Sequence, residues 1–130
     1  MTLLNIADML ADVMHFEEVY AGTIDAEQEC CIGVYDSKRA AAKRICIGGS
    51  ACTKTLIKDS TILVHWTEIP NKAQQKAQEI SDMLSSISGY DGNGFSVKYI
   101  QVNSPAYAGK DERGVCEYVV SIKIYYERTD

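Results

Sequence analysis

The sequence is poor in several features that would point directly to a class of function. Its 130 residues include only two histidines, two prolines and one tryptophan. No apolar run approaches the roughly 20 residues that a membrane-spanning helix needs. The first residues contain no cationic segment and reach an acid at Asp8, which is unlike a secretory signal peptide. We therefore expect neither an integral membrane protein nor a cleaved secretory leader.

Positive charge is scarce as well. The chain has 13 lysines and arginines against 18 aspartates and glutamates, for a formal net charge of -5. Nucleic acid is disfavoured as the main ligand, because binding it requires a positive surface. The first 36 residues are strongly acidic, and a compact basic patch follows them, formed by Lys38, Arg39, Lys43 and Arg44. Such segregation of charge suits contacts with copies of the chain or with other proteins.

Metal-binding and disulfide patterns are also missing. The five cysteines, at positions 30, 31, 46, 52 and 116, form no Cys-x-x-Cys pair and no repeated spacing. An odd number without a framework indicates free thiols in a reducing compartment. The two histidines, His15 and His65, lie far apart in the sequence. The sequence therefore predicts no metal site and no cofactor.

One arrangement could still support catalysis. Cys30 or Cys31 could act as a thiol nucleophile with His65 as its base, in a small cytosolic enzyme or a ligand-binding dimer. Adjacent cysteines in a strand point to opposite faces, however, so only one of them could reach the histidine. Free cysteine is also among the most commonly buried residues. We expect no enzyme, and we keep this arrangement as the alternative.

Hydrophobic periodicity predicts two helices and several strands. The first helix is expected over residues 3–15, and Pro70 begins a second that ends near residue 88. β-Branched and aromatic runs predict two strands that form a hairpin over 19–35. Further strands are expected over 53–58, 61–67, 95–102 and about 117–126, the last of them in the middle of the sheet. The whole chain, 1–130, is predicted to be a single α+β domain, with both helices on one face of a mostly antiparallel, mixed sheet of about five or six strands.

The segment 103–114 is predicted to be a polar loop with a function. Its four consecutive charged residues, Lys110, Asp111, Glu112 and Arg113, lie between glycines, and Tyr107 is its one large apolar side chain. Such a loop either extends into water or inserts into a neighbouring molecule. Tyrosine and arginine are enriched where proteins meet, so these five residues are the candidate interface.

The same region carries a family resemblance. The run from Ser104 to Tyr126, with Pro105, Tyr107 and Gly109, resembles the C-terminal signature of small minor capsid proteins of long-tailed bacteriophages, which are encoded among the head–tail joining genes. Other similar pieces, in the same order, are Tyr20-Ala-Gly22, Cys31-Ile-Gly-Val-Tyr35, Ile47-Gly48-Gly49 and Ile62-Leu-Val-His-Trp66. The resemblance covers about residues 18–126 and includes no catalytic signature.

The resemblance implies a structural role like that of a tail terminator or another head–tail joining ring subunit. Such α+β subunits form a ring, commonly of six, at the head-proximal end of the tail tube. The ring halts tube polymerisation and docks to the head connector or head-closure protein. The implied partners are copies of the chain, the tube protein and the connector, with DNA only in transit and no membrane.

The implied location is the head–tail junction of the virion, after assembly in the bacterial host cytoplasm. On this hypothesis residues 107–113 form one half of the ring contact. The basic patch would meet the acidic N-terminal third of a neighbour or line the channel that DNA crosses.

Overall fold

The computed structural model describes residues 1–15, 18–22, 24, 30–36, 55–92 and 94–128, which form two helices and seven strands. The basic patch and the cysteines at 46 and 52 lie outside the described residues. In chain order the elements are α1 (Leu3–Met14), β1 (Val19–Ala21), β2 (Cys31–Asp36), β3 (Thr55–His65), α2 (Pro70–Ser85), β4 (Ser88–Asp91), β5 (Phe95–Val102), β6 (Ala106–Lys110) and β7 (Cys116–Arg128).

Helix α1 begins and ends at local signals in the sequence. The Thr2 hydroxyl accepts from the Asn5 backbone N–H, and the Asn5 side chain accepts from the Thr2 backbone N–H, which forms a capping box. The helix ends where His15 adopts a left-handed conformation with φ 54°. The predicted helix over 3–15 is confirmed to within one residue.

Helix α2 begins at Pro70, in the first turn, where a missing backbone N–H costs no hydrogen bond. Its buried stripe consists of Ala73, Ala77, Ile80 and Leu84, as the periodicity predicts. The helix ends at Ser85, earlier than predicted, because β4 already begins at Ser88. Strand β4 pairs antiparallel with β5, and Gly89 adopts φ +72° within it, a conformation that favours glycine.

Strand β7 lies in the middle of the sheet, as predicted. The strand order is β1-β2-β3-β7-β5-β4, and β6 also pairs with β7. One edge of β7 pairs with β3 along nearly its whole length, and the other edge pairs first with β6 and then with β5. All these pairs are antiparallel except β1–β2, so the sheet is mixed.

Two predictions about the strands are wrong. The expected hairpin over 19–35 does not form, because β1 and β2 are parallel, with Val19 opposite Ile32. Side-chain alternation is the same in both directions, so it identifies strands but not their orientation. The strands expected over 53–58 and 61–67 form the single strand β3, whose interior includes the buried Ser60. The Ser60 hydroxyl donates to the Tyr35 carbonyl at 2.7 Å, which satisfies this polar group inside the sheet.

Both helices pack on one face of the sheet, which confirms the predicted α+β class. Helix α1 packs against β1 and β2, and α2 packs against β3, β5 and β7. The sheet has seven strands rather than five or six, because β4 and β6 are additional to the predicted ones. The buried side chains at the centre of the core are Ile6, Met9, Leu10, Ile32, Val34, Ile62, Val64, Ala77, Ile80, Leu84, Val97, Val120, Ile122 and Ile124.

The two described helices give no candidate for a membrane span. Neither of them combines the length and the hydrophobicity that crossing a bilayer requires.

Candidate functional site: the β6–β7 hairpin

The segment predicted as a polar loop contains a strand. Residues 106–110 form β6 and pair with residues 116–119 of β7, so the loop prediction is wrong for these five residues. Strand β7 is long enough to extend beyond β5, and its free edge is taken up by β6. Pro105 cannot donate to a ladder and separates β6 from β5. A short turn with glycine between two runs was the sequence signal for a hairpin.

The turn of the hairpin is built around Asp111. One oxygen of its carboxylate, Oδ1, accepts from the backbone N–H groups of Arg113 and Val115, each at 2.9 Å. The Asp111 backbone N–H donates to the Val115 carbonyl, and Gly114, at φ +85°, donates to the Asp111 carbonyl. The bond from Val115 is the main reason that the pKa of Asp111 lies below its ordinary value, and the charges of His65 and Arg113 act in the same direction. Asp111 therefore shapes the turn from within.

The other candidate interface residues point into solvent. Tyr107 is 56% exposed, and its ring contacts the edge of Tyr118 with centroids 5.4 Å apart. Lys110, Glu112 and Arg113 are exposed at the tip of the hairpin. Four of the five predicted residues are thus exposed on the hairpin, Tyr107 in β6 and the three charged residues at the tip.

The outer edge of β6 is open within the part of the chain that the structure describes. There β6 pairs with β7 alone, and β4 pairs only with residues 96–99 of β5. An exposed strand edge presents backbone N–H and C=O groups that another chain can pair with. The hairpin therefore offers both side chains and backbone to a partner.

His65 lies directly behind this hairpin. Its ring is fully buried, with Nδ1 at 3.0 Å from Glu117 Oε2 and Nε2 at 3.6 Å from Asp111 Oδ2. Strand register explains the first contact, because His65 in β3 is opposite Glu117 in β7. The second contact depends on the turn. His65 is 52 residues from Glu117 and 46 from Asp111 in the sequence, so neither contact could be predicted from it.

The alternative catalytic arrangement is assembled only in part. Cys31 is opposite His65 across β2 and β3, but the cysteine is fully buried. Cys30 precedes β2 and adopts a left-handed conformation, with φ 58°. Both ring nitrogens of His65 face carboxylates rather than a thiol. A substrate could not reach the buried Cys31 thiol, and the imidazole is engaged by carboxylates on both sides. The geometry therefore does not favour nucleophilic catalysis by Cys31 with His65 as base.

Metal ions and small ligands find little support in the described residues. No cluster there brings together three or more histidine, cysteine, aspartate or glutamate side chains to hold a metal. Asp111 and Glu117 flank opposite nitrogens of one imidazole, so they cannot converge on a single ion. A groove between the helices, lined by Val13, Met14 and Met83, encloses about 210 Å³. That volume is below the roughly 300–1,000 Å³ of typical small-molecule sites.

Comparison with known families decides what kind of protein carries this hairpin. A family model described as bacteriophage tail terminator protein matches residues 3–128. The chain belongs to this family. The match spans every helix and strand that the structure describes, and it confirms the resemblance drawn from the sequence. No curated protein matches the chain in sequence. As a member of a structural family, this tail terminator is a component of the phage tail.

Proposed function

We propose that the protein forms a ring of six copies. The ring ends polymerisation of the tail tube and docks to the head connector. The observation that carries the proposal is the β6–β7 hairpin of this member of the tail terminator family. It presents an exposed tyrosine, a charged turn and a strand edge with which no other described strand pairs. The ring lies at the head–tail junction, assembled in the host cytoplasm, and DNA passes through it. The protein acts there as a structural part and not as an enzyme.

A ring requires a heterologous contact, in which the hairpin meets a different surface of the next copy. Asp111 is held by the turn and faces His65, so the exposed charged residues of the tip are Lys110, Glu112 and Arg113, which include both of its cations. The complementary surface is the N-terminal region. Its first 22 residues contain acids but no lysine or arginine, and Asp8 and Asp12 are exposed on α1. Opposite charge on the two surfaces sets the register of neighbouring copies.

The basic patch is assigned a role in the assembly on its charge alone. Lys38, Arg39, Lys43 and Arg44 would either line the channel for DNA or meet the acidic region of a neighbour. The connector and the tube protein contact the two ends of the ring. Membership of the tail terminator family supports the proposal of these two partners, since ending a tube and joining it to a head require contact with both.

The test is growth of tail tubes in the presence of the full chain. Tubes of the phage's own tube protein should stop elongating when the protein is added, and electron micrographs should show it at one end. The double variant Lys110→Glu/Arg113→Glu should fold but fail to stop growth, because it reverses the charge of the hairpin tip. The control is Lys72→Glu/Lys98→Glu, which makes the same change of charge on α2 and β5. Equal activity of the two double variants would exclude the hairpin tip as the contact, and unhindered growth with the native chain would exclude termination.

A further inference from the structure

His65 joins three separate parts of the hairpin region. It belongs to β3, one of its nitrogens contacts Glu117 at the start of β7, and the other faces Asp111 in the turn. Its side chain is completely buried, and Nε2 is the one buried side-chain nitrogen or oxygen of the described residues without a hydrogen-bond partner. Buried polar atoms without partners are rare in folded proteins, so this atom needs an explanation.

The proton on Nδ1 follows from the chemistry of its partner. The Glu117 carboxylate can only accept a hydrogen bond, so Nδ1 must donate at 3.0 Å. The state of Nε2 is then the open question. A bare Nε2 would place its lone pair against the negative Asp111 Oδ2 at 3.6 Å, which is repulsive. A protonated Nε2 would be attracted to the same oxygen, and a second carboxylate on the opposite side would stabilise the resulting positive ring.

We propose that His65 is held as an imidazolium between Asp111 and Glu117 and is the positioning residue that fixes the hairpin turn to the sheet. The imidazole of His65 links the tip of the hairpin, through Asp111, to the base of the hairpin, through Glu117. This Asp–His–Glu bridge, in which the imidazole is buried and both carboxylates are partly exposed, determines where the exposed Tyr107 and Lys110 lie. Its importance for assembly rests on the proposed function, but its existence does not.

The other titratable groups near the bridge lie on β2 and in the hairpin turn. Strand β2 contributes Cys31, opposite His65, and Tyr35, whose pKa is raised mainly by burial and further by Cys31 and Glu117. The turn contributes Arg113, whose positive charge acts on Asp111. With two carboxylates against one imidazolium, the bridge carries a net negative charge, and Arg113 reduces it. Burial of the ring opposes its charge, and contact with both carboxylates offsets that cost.

The substitution Asp111→Asn separates the two protonation states of His65. The backbone N–H groups of Arg113 and Val115 require an acceptor, so the amide oxygen takes the place of Oδ1 and the turn is kept. The amide NH2 then replaces Oδ2 and faces His65 Nε2. If Nε2 carries a proton, two donors face each other and the turn is weakened. If Nε2 is bare, the amide donates to it and the turn is strengthened. The two states therefore predict effects of opposite sign.

The experiment uses the full chain near neutral pH. NMR measures the protonation of the His65 imidazole, and hydrogen exchange measures the stability of the hairpin turn. We expect the nitrogen NMR shifts of His65 to show protons on both ring nitrogens. We also expect Asp111→Asn to speed exchange of the Asp111 and Gly114 backbone N–H groups by about tenfold, the effect of one lost charge-assisted contact. The control Glu112→Gln makes the same change of charge one residue away, where the side chain is exposed, and should leave the exchange unchanged.

A bare Nε2 in the NMR spectrum, or slower exchange in Asp111→Asn, would overturn the proposal. The NMR result on the native chain stands even if the variant fails to fold. Tube growth measured with Asp111→Asn separates this proposal from the proposed function. If both His65 nitrogens carry protons and the variant still stops tube growth normally, the bridge is supported and the hairpin is excluded as the assembly contact.

Discussion

Replacing Tyr107 with alanine separates the contribution of this residue to folding from its contribution to assembly. Full burial of a large apolar side chain contributes about 1.5–3 kcal/mol, and Tyr107 is 56% exposed, so its burial contributes about 1 kcal/mol. The edge-to-face contact with Tyr118 adds about 0.5 kcal/mol or more. We expect Tyr107→Ala to lower the free energy of unfolding by about 1.5 kcal/mol, which is a modest change.

The effect on assembly should be larger. Tyrosines at the centre of an interface commonly contribute 2 kcal/mol or more to binding. Truncation of the Tyr107 side chain should therefore weaken each contact between copies by about 30-fold. Urea unfolding of the dilute protein measures the first quantity, and sedimentation over a range of concentrations measures the second.

The structure supplies a matched control at Tyr99. This tyrosine is 52% exposed and stacks on Tyr125 with centroids 4.3 Å apart, but it belongs to β5 rather than to the hairpin. Tyr99→Ala should cost a similar free energy of unfolding and leave assembly unchanged. Equal weakening of assembly by both variants, or none by Tyr107→Ala, would refute the assignment of the hairpin as the contact.

Two further predictions concern acid and thiols. The pKa of Asp111 is depressed in the folded protein, so its carboxylate stabilises the turn at neutral pH, and this stabilisation is lost as pH falls through the lowered value. The protection of the Gly114 N–H against exchange, taken relative to the intrinsic exchange rate at each pH, should then fall, whereas an Asp111→Ala variant should lack this step. Cys31 and Cys116 are buried, so mass spectrometry after brief alkylation of the native protein should find them unmodified and find them labelled after unfolding in urea. Rapid, selective labelling of Cys31 in the native protein would instead favour the alternative of a thiol enzyme.

Long, periodic elements of this fold could be predicted from the sequence. The stripe of Ala73, Ala77, Ile80 and Leu84 defines α2, and the alternation along 117–126 places β7 at the centre. Strands of three to five residues, such as β1, β4 and β6, are too short for their periodicity to give length or direction. They account for the wrong hairpin over 19–35, the early end of α2 and the strand inside the predicted loop.

The candidate site could be predicted in composition but not in arrangement. Tyr107 and the charged residues after it were identifiable because tyrosine and charge between glycines are typical of an exposed contact. The different role of Asp111 could not be predicted, because its carboxylate accepts from backbone N–H groups that only the folded turn brings to it. The bridge through His65 depends on the register of β3 with β7, which only the folded sheet defines.

The mass of the purified full chain in solution tests the central claim most directly. Light scattering over a range of concentrations should show the subunit of 14.4 kDa giving way to one closed species. Six copies of that subunit have a mass of about 86 kDa, and a ring should show no growth beyond its closed state. A mass that stays at two subunits at every concentration would contradict the ring and favour a binding dimer.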